Sequence, residues 1–315
     1  MPVEILVRLL EEPDLPLADR IFRLAFGTFN GLPDPLQHGG DSDKIRTRWL
    51  ADPAAAFGAE VGGVLVGSNF VTHWGSVGYF GPLTVHPDFW DRGVAQKLID
   101  PALERFEAWG CRHTGLYTYS GSPKHLALYQ KFGFWPRSLT AIMSKAVRPA
   151  ETMGAVSFYS QTPESERPGL VAAAAGMSGA IYAGLNVQRE IHALQNQHLG
   201  DTVLIWDDPG LVGFAVVHVG PGSEAGSGAG FIKFGAARPG PQVREYFDRL
   251  LSACETYAAS RGAAALLAGV SLARKPAYEQ MRARSFKPDL VGVCMHKPDE
   301  PGYHRPDAWV MDDWR

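Results

Sequence analysis

Residues 83–98 constrain the fold of this chain more than any other stretch. Leu83-Thr84-Val85 reads as a strand, Asp91-Arg92-Gly93 as a tight turn, and Val94-Ala95-Gln96-Lys97-Leu98 as the start of a helix. A strand that feeds a helix through such a turn points several free main-chain N–H groups at one spot. The helix dipole adds partial positive charge there, so the corner suits a pyrophosphate. Gly93 has no Cβ, so an anion's oxygen can approach the main chain. Ala95 is small and keeps the first turn open.

A second segment, Ser122-Pro123-Lys124-His125-Leu126-Ala127-Leu128-Tyr129-Gln130-Lys131-Phe132-Gly133-Phe134, follows in the expected order. Together the two resemble the GNAT superfamily of acetyl-coenzyme A dependent N-acyltransferases. That pattern is strand–(Gln/Arg)-x-x-Gly-x-(Gly/Ala)–helix, then a strand, then a helix carrying Leu-Tyr-x-x-x-Gly-Phe. Two motifs in order are far more specific than a lone glycine pattern. Trp90 departs from it, standing where the family has Gln or Arg, at a position that supplies mainly main-chain N–H. The resemblance implies an α/β fold, the mixed-sheet α+β arrangement of GNAT proteins.

The first half reads in that layout. Strands are expected at Glu4–Leu9, Ala56–Glu60, Val64–His73, Gly78–Val85, Leu116–Tyr119 and Phe134–Ser144, and helices at Leu15–Phe29, Arg92–Trp109 and Lys124–Phe132. Gly62-Gly63 joins a hairpin. Gly31–Asp41 reads as a loop, with Ser42 capping a short helix through Leu50.

The second half echoes the first at a constant offset. Thr84-Val85-His86-Pro87 falls on Ala236-Ala237-Arg238-Pro239, Gly110 on Gly262, and Gly133-Phe134 on Ser285-Phe286. Such an echo reads as a tandem repeat. Two tandem GNAT-like units are therefore expected: a catalytic domain over 1–146 and a degenerate one over 154–315 that includes the C-terminal tail. Gly93 falls on Glu245, Ala95 on Phe247 and Tyr129 on Met281. A carboxylate and a benzyl group at the second corner would repel and block a pyrophosphate, and Met281 has no proton to give.

Acyl transfer to an amine requires holding the donor, polarising its carbonyl, deprotonating the amine and protonating the departing thiolate. By the resemblance, Asp91, Arg92, Gly93, Val94, Ala95, Gln96 and Lys97 hold the pyrophosphate of acetyl-CoA. Leu83, Thr84 and Val85 pair with the pantetheine arm, and Ser122 and His125 lie beside it. Tyr129 is the expected general acid, a phenol that stays protonated at neutral pH. The stretch Gly78–Val85 lacks the carboxylate the family places there, so His73 is the expected base, with His86 and His125 as rivals.

Composition narrows the function classes. The net charge of −3 and the scattered Lys and Arg give no nucleic-acid surface. Three well-separated cysteines fit a reducing cytoplasm and neither a disulfide frame nor a zinc site. His192 and His198 do not share a helical face, so no metal is expected. No apolar run is long enough to span a membrane. The expected partner is a small-molecule amine acceptor, with aromatic Trp74, Tyr79, Phe80 and Trp135 near the presumed cleft. The alternative reading is a non-catalytic acyl-CoA-binding sensor or regulator. The stretch 303–315, with Tyr303, Trp309 and Trp314, is too aromatic to float free. It is expected to dock near the first unit's cleft, as some tandem GNAT enzymes present their C-terminal carboxylate there.

Overall fold

The computed structural model describes residues 4–148, 154–208 and 210–315. Strand β1 (Ile5–Leu9) leads into helices α1 (Leu15–Phe29) and α2 (Ile45–Ala51). Helix α1 forms because Leu15, Ala18, Ile21, Phe22 and Ala25 recur three and four apart and are all buried. Strands β2 (Ala56–Val61) and β3 (Val64–Trp74) then make the hairpin at Gly62-Gly63, with Val61 opposite Val64. Strands β4 (Val77–Phe80) and β5 (Thr84–Val85), helix α3 (Val94–Ala108), strand β6 (His113–Thr118), helix α4 (Pro123–Gln130) and strand β7 (Trp135–Ala146) complete the first half.

The second half repeats that order: β8 (Ala155–Phe158), α5 (Arg167–Ile181), α6 (Gln188–Gln197), β9 (Gly200–Asp207), β10 (Gly210–Gly220), β11 (Gly226–Ala237), α7 (Val243–Ser260), β12 (Ala265–Ser271), α8 (Lys275–Ala283) and β13 (Lys287–Lys297). A short β14 (Val310–Met311) follows. The paired landmarks share backbone conformation. Gly110 and Gly262 both have left-handed φ, +65° and +76°, and so do Gly133 and Ser285, +83° and +68°. Part of the expected boundary, residues 149–153, lies outside the described residues.

Among the described residues, one sheet of 14 strands runs through both halves. Its path is β1-β2-β3-β4-β6-β13-β7-β12-β11-β10-β9-β8. Near its middle the halves exchange strands. β13 lies between β6 and β7, and β7 lies between β13 and β12. The first half's sheet is therefore closed by a strand from residues 287–297. Helices α3 and α7 pack Leu98, Ile99 and Phe106, and Phe247, Leu250 and Cys254, into cores on the sheet. No helix among the described residues is long and apolar enough to cross a membrane.

Two expectations change. The single strand over Gly78–Val85 is broken into β4 and β5. Against β3, Phe80 is opposite Val71 and Thr84 is opposite Ser68, so three residues face two. That extra residue is a bulge, and Pro82, which has no N–H for the ladder, sits in it. Ser42 is not the cap of α2. Its hydroxyl turns back to the Gly39 carbonyl at 2.7 Å, while Asp43 Oδ1 accepts from the Arg46 N–H at 2.8 Å.

The tail is fixed by a buried ion pair. Arg274 and Asp312 are both fully buried, 2.8 Å apart. Arg274 also donates to the Val310 carbonyl, and the Tyr303 hydroxyl donates to Asp312 Oδ2 at 2.5 Å while accepting from the Trp314 indole at 2.8 Å. Beside it, His113 Nε2 and His296 Nδ1 are 3.0 Å apart, and the rings of His296 and Trp314 each lie 4.6 Å from that of His304. Burial pushes His113 down to about 4 and His296 to about 3, with nearby Arg137 lowering both further. His304 is likewise held well below 6.5, by burial first.

Two outcomes follow from this anchor. Asp312→Ala leaves Arg274 charged and unpartnered in the interior, and denaturant titration should show a loss of about 3–5 kcal/mol. A loss indistinguishable from that of an exposed substitution would refute the pair's structural role. The histidines bind protons more weakly folded than unfolded, so their contribution to stability is complete above the ordinary value of 6.5 and is lost as pH falls through about 4. The melting temperature should drop over that window and drop less in His113→Gln; a flat profile contradicts the assignment.

Candidate active site

Strands β4 and β6 run parallel and pair only at Val77–His113, Gly78–Thr114 and Tyr79–Gly115. Beyond Tyr79 the bulge carries β5 along β3, and β6 continues beside β13. The strands separate, and the edge of β5 that faces β6 has no strand partner. A cavity of about 700 Å³ fills the gap. Leu83, Thr84 and Val85 line one wall and Tyr117, Thr118 and Tyr119 the other.

One end of the cavity is the strand-to-helix corner. Gly93 is the N-cap of α3, with φ +84°, and among the described residues no side chain caps the helix. A Cβ on Gly93 would meet nothing within 4 Å, so the approach to the first-turn N–H groups is open. Asp91, Gly93, Val94, Ala95 and Gln96 line this end. Asp91 holds Lys124 at 2.6 Å at the exposed rim. The Trp90 indole N–H donates to the Val85 carbonyl at 2.7 Å. Where the family has Gln or Arg, this ring ties the corner to β5, a role the sequence reading missed. An open, uncapped helix start beside an unpaired strand edge fits a diphosphate followed by an amide-bearing arm.

Tyr129 is buried in the middle of the lining, from α4, and its hydroxyl has no hydrogen-bond partner among the described residues. Burial raises its phenol well above 10. His125 also lines the cavity, its imidazole pushed down by burial and by Lys124.

Other expected residues are elsewhere. His73 does not line the cavity. It is opposite Gly78, whereas Thr84 is opposite Ser68, five residues or roughly 17 Å along β3. Its Nε2 meets the Gly75 carbonyl at 2.8 Å and its ring stacks on Trp109. His73 is therefore outside the cavity that Tyr129 lines. His86 is turned to its own loop, accepting from the Asp88 N–H. Ser122 is the N-cap of α4, accepting from the His125 N–H at 3.5 Å. Arg92 rests over the Phe89 ring, and neither Arg92 nor Lys97 lines the cavity. Trp74 is in the core, its indole donating to Glu190, and Trp135 is exposed on the surface.

The rest of the lining includes Phe22 and Phe26 of α1, Lys44 before α2 and Leu290 of β13, which the sequence reading did not assign, together with His38 and the tail residues Trp314 and Arg315. Beneath it is a buried charge network. Arg48 grips Glu224 through Nε at 3.2 Å and Nη2 at 2.9 Å, and donates to the carbonyls of Gly81 and Arg315. Lys233 bridges Glu224 at 2.6 Å and Glu190 at 3.0 Å. Burial alone would raise the Glu224 carboxyl, but Arg48 and Lys233 hold it well below 4.5. Arg48 thus fixes both the bulge and the end of the tail from the second half of the chain. Only the aromatic content of the tail signalled any of this.

The corresponding gap in the second half is closed by protein. β11 and β12 pair in parallel at Ala229–Ala265 through Ile232–Ala268, and beyond that β14 pairs with β11, Gly235 opposite Met311 and Ala236 opposite Val310. Phe247 is fully buried in the core, while Glu245 is exposed.

Residues 19–134 match the profile of the acetyltransferase (GNAT) family. An acetyltransferase of Yersinia enterocolitica is 34% identical over 86 residues, which cover 26% of this chain and 59% of that protein. One of Pectobacterium atrosepticum is 35% identical over the same length and coverage. The chain thus spans about 59% of the length of these curated relatives. Among solved structures, a provisionally assigned acetyltransferase from Pyrococcus horikoshii superposes with a TM-score of 0.69 at 14% identity, covering 97% of this chain and 93% of its own. A GCN5-related N-acetyltransferase from Sphaerobacter thermophilus gives 0.59 at 16% identity, over 93% and 95%. These two likenesses establish the fold.

Proposed function

We propose, from the match of residues 19–134 to the acetyltransferase (GNAT) family profile, that the protein transfers an acetyl group from acetyl-CoA to a primary amine of a small molecule, by direct attack in a ternary complex. One observation carries the reading. One cavity joins a helix start left uncapped to a buried phenol that has no hydrogen-bond partner, both among the described residues.

The first-turn N–H groups of α3, from Gly93 to Gln96, hold the diphosphate. The unpaired edge of β5 at Leu83–Val85 aligns the pantetheine amides as an added strand would. Bound there, the thioester supplies an activated acyl carbon. A main-chain N–H at the bulge polarises the carbonyl as negative charge develops on its oxygen. Tyr129 gives its proton to the departing sulfur. Its raised phenol keeps that proton through the neutral range. The amine attacks as its free base, having lost its ammonium proton to solvent; once bonded to the acyl carbon the nitrogen is far more acidic than a free ammonium, so a weak base suffices to take its remaining excess proton as the C–S bond breaks. His38 and His125 are the imidazoles lining the cavity, and burial keeps both neutral at pH 7.

In this reading the two halves, 1–146 and 154–315, are tandem GNAT-like units of which only the first binds the donor. The second has its gap filled by β14 and supports the first through β13 and Arg48–Glu224.

Titration calorimetry should therefore give one coenzyme A site per chain. Two sites, or none, would overturn the assignment of a single open corner. Tyr129→Phe should lower kcat by about 10²–10⁴-fold while leaving acetyl-CoA affinity within a factor of a few, measured by thiol release and calorimetry. If wild-type protein binds the carrier and releases no thiol with any amine, the sensor reading replaces the enzyme.

A further inference from the structure

The acceptor end of the cavity has an unusual balance of charge. Phe22 and Phe26, their rings 5.1 Å apart, form an aromatic wall with His38 stacked on Phe26. Two cations, Lys44 and Arg315, line the same end. Asp91 is the lone Asp or Glu side chain in the lining among the described residues, and it is already paired with Lys124. The cations differ in what neutralises them. Arg315 Nε meets Asp313 at 3.1 Å, and its guanidinium rests 5.1 Å over Phe231. The charge of Arg48 below is taken up by Glu224. Lys44 has no ion pair among the described residues.

Lys44 is thus an amine without an ion-pair partner among the described residues, lining the same cavity as the aromatic wall. Burial and the neighbouring Arg315 push it down to about 7, against the pull of Glu224. An anion delivered to it would restore the charged form. A polycation would meet repulsion from Lys44, because the carboxylates within reach, Glu224 and Asp313, are already engaged by Arg48 and Lys233 and by Arg315.

Resting on the acetyl-transfer reading, we propose that the acceptor is a primary amine that also carries an aromatic or bulky apolar group and a carboxylate. The carboxylate docks on Lys44, the apolar body lies against Phe22 and Phe26, and the amine is left to reach toward Tyr129. Lys44 acts here as a specificity-determining residue, and its effect falls on KM.

The test uses the full chain with acetyl-CoA and thiol-release detection. Two matched pairs are compared, phenylalanine with phenethylamine and 4-(aminomethyl)benzoate with benzylamine, beside spermidine. In at least one pair the carboxylate-bearing member should have a kcat/KM at least tenfold higher. Lys44→Met should abolish that preference by raising KM, and Lys44→Arg should retain it. Faster turnover of spermidine or of the members that lack a carboxylate, or a preference unmoved in Lys44→Met, would overturn the proposal while leaving acetyl transfer intact. Calorimetry with phenylacetate and 4-methylbenzoate on the coenzyme A complex separates the two readings. Carboxylate binding that is lost in Lys44→Met, without turnover of any amine, sustains the docking site and removes the enzyme reading. No binding and no turnover removes both.

Discussion

The site exists because two parallel strands stop pairing. β4 and β6 hold together through Tyr79 and Gly115 and then part, and everything functional in the cavity depends on that parting. A buried strand edge is costly unless something satisfies its N–H and C=O groups. Here the bulge at residues 81–83 moves the chain onto β5 without breaking its pairing to β3, so one edge stays satisfied and the other is presented to the cavity. The arrangement is held from outside. Arg48 donates to the Gly81 carbonyl within the bulge, and its own charge is balanced by Glu224 from the other half of the chain. Loss of either partner would leave a buried charge and loosen the turn that makes the edge available.

The two halves treat the same gap in opposite ways. In the first, the space between the strands is open and ends at an uncapped helix. In the second, β14 adds to β11 and takes up the position. The segment that fills the second gap runs straight on to Trp314 and Arg315 in the lining of the first. One short stretch, pinned by Arg274 and Asp312, therefore both closes one unit and shapes the other. This explains why the tail is so aromatic. It has to pack as core at Tyr303 and Trp309 and as cavity wall at Trp314.

What the sequence made legible was local. The corner at Gly93 was readable because a glycine between a strand and an amphipathic helix leaves few conformations, and Tyr129 because its motif is specific. The similar element order of the two halves was foreshadowed by residues such as Gly110 and Gly262, whose shared backbone conformation demands glycine or a tolerant substitute. Direction along a strand was harder to read. His73 has suitable chemistry, yet the register of β3 carries it well away from Thr84. Ser122 reads equally well as a ligand or as a cap, and its use as a cap depends on where α4 begins. Lys44, Arg48, Leu290 and Arg315 reach the site only through contacts across the whole chain, and no local pattern announces such contacts. Trp90 was seen as a departure from the family, but its bond to Val85 needed the turn geometry.

The exchange of β7 and β13 bears on how such a chain is made. A ribosome releases residues 1–146 long before 287–297, so the emerging amino-terminal half waits with the flank of β6 bare. Exposed ladder groups in a nascent polypeptide invite mispairing with neighbours. Closure waits for residues 287–297, when one later strand joins both halves. Maturation is thereby all-or-none: severing the gene into two separately expressed pieces would yield fragments that each lack a rib, competent only when co-produced.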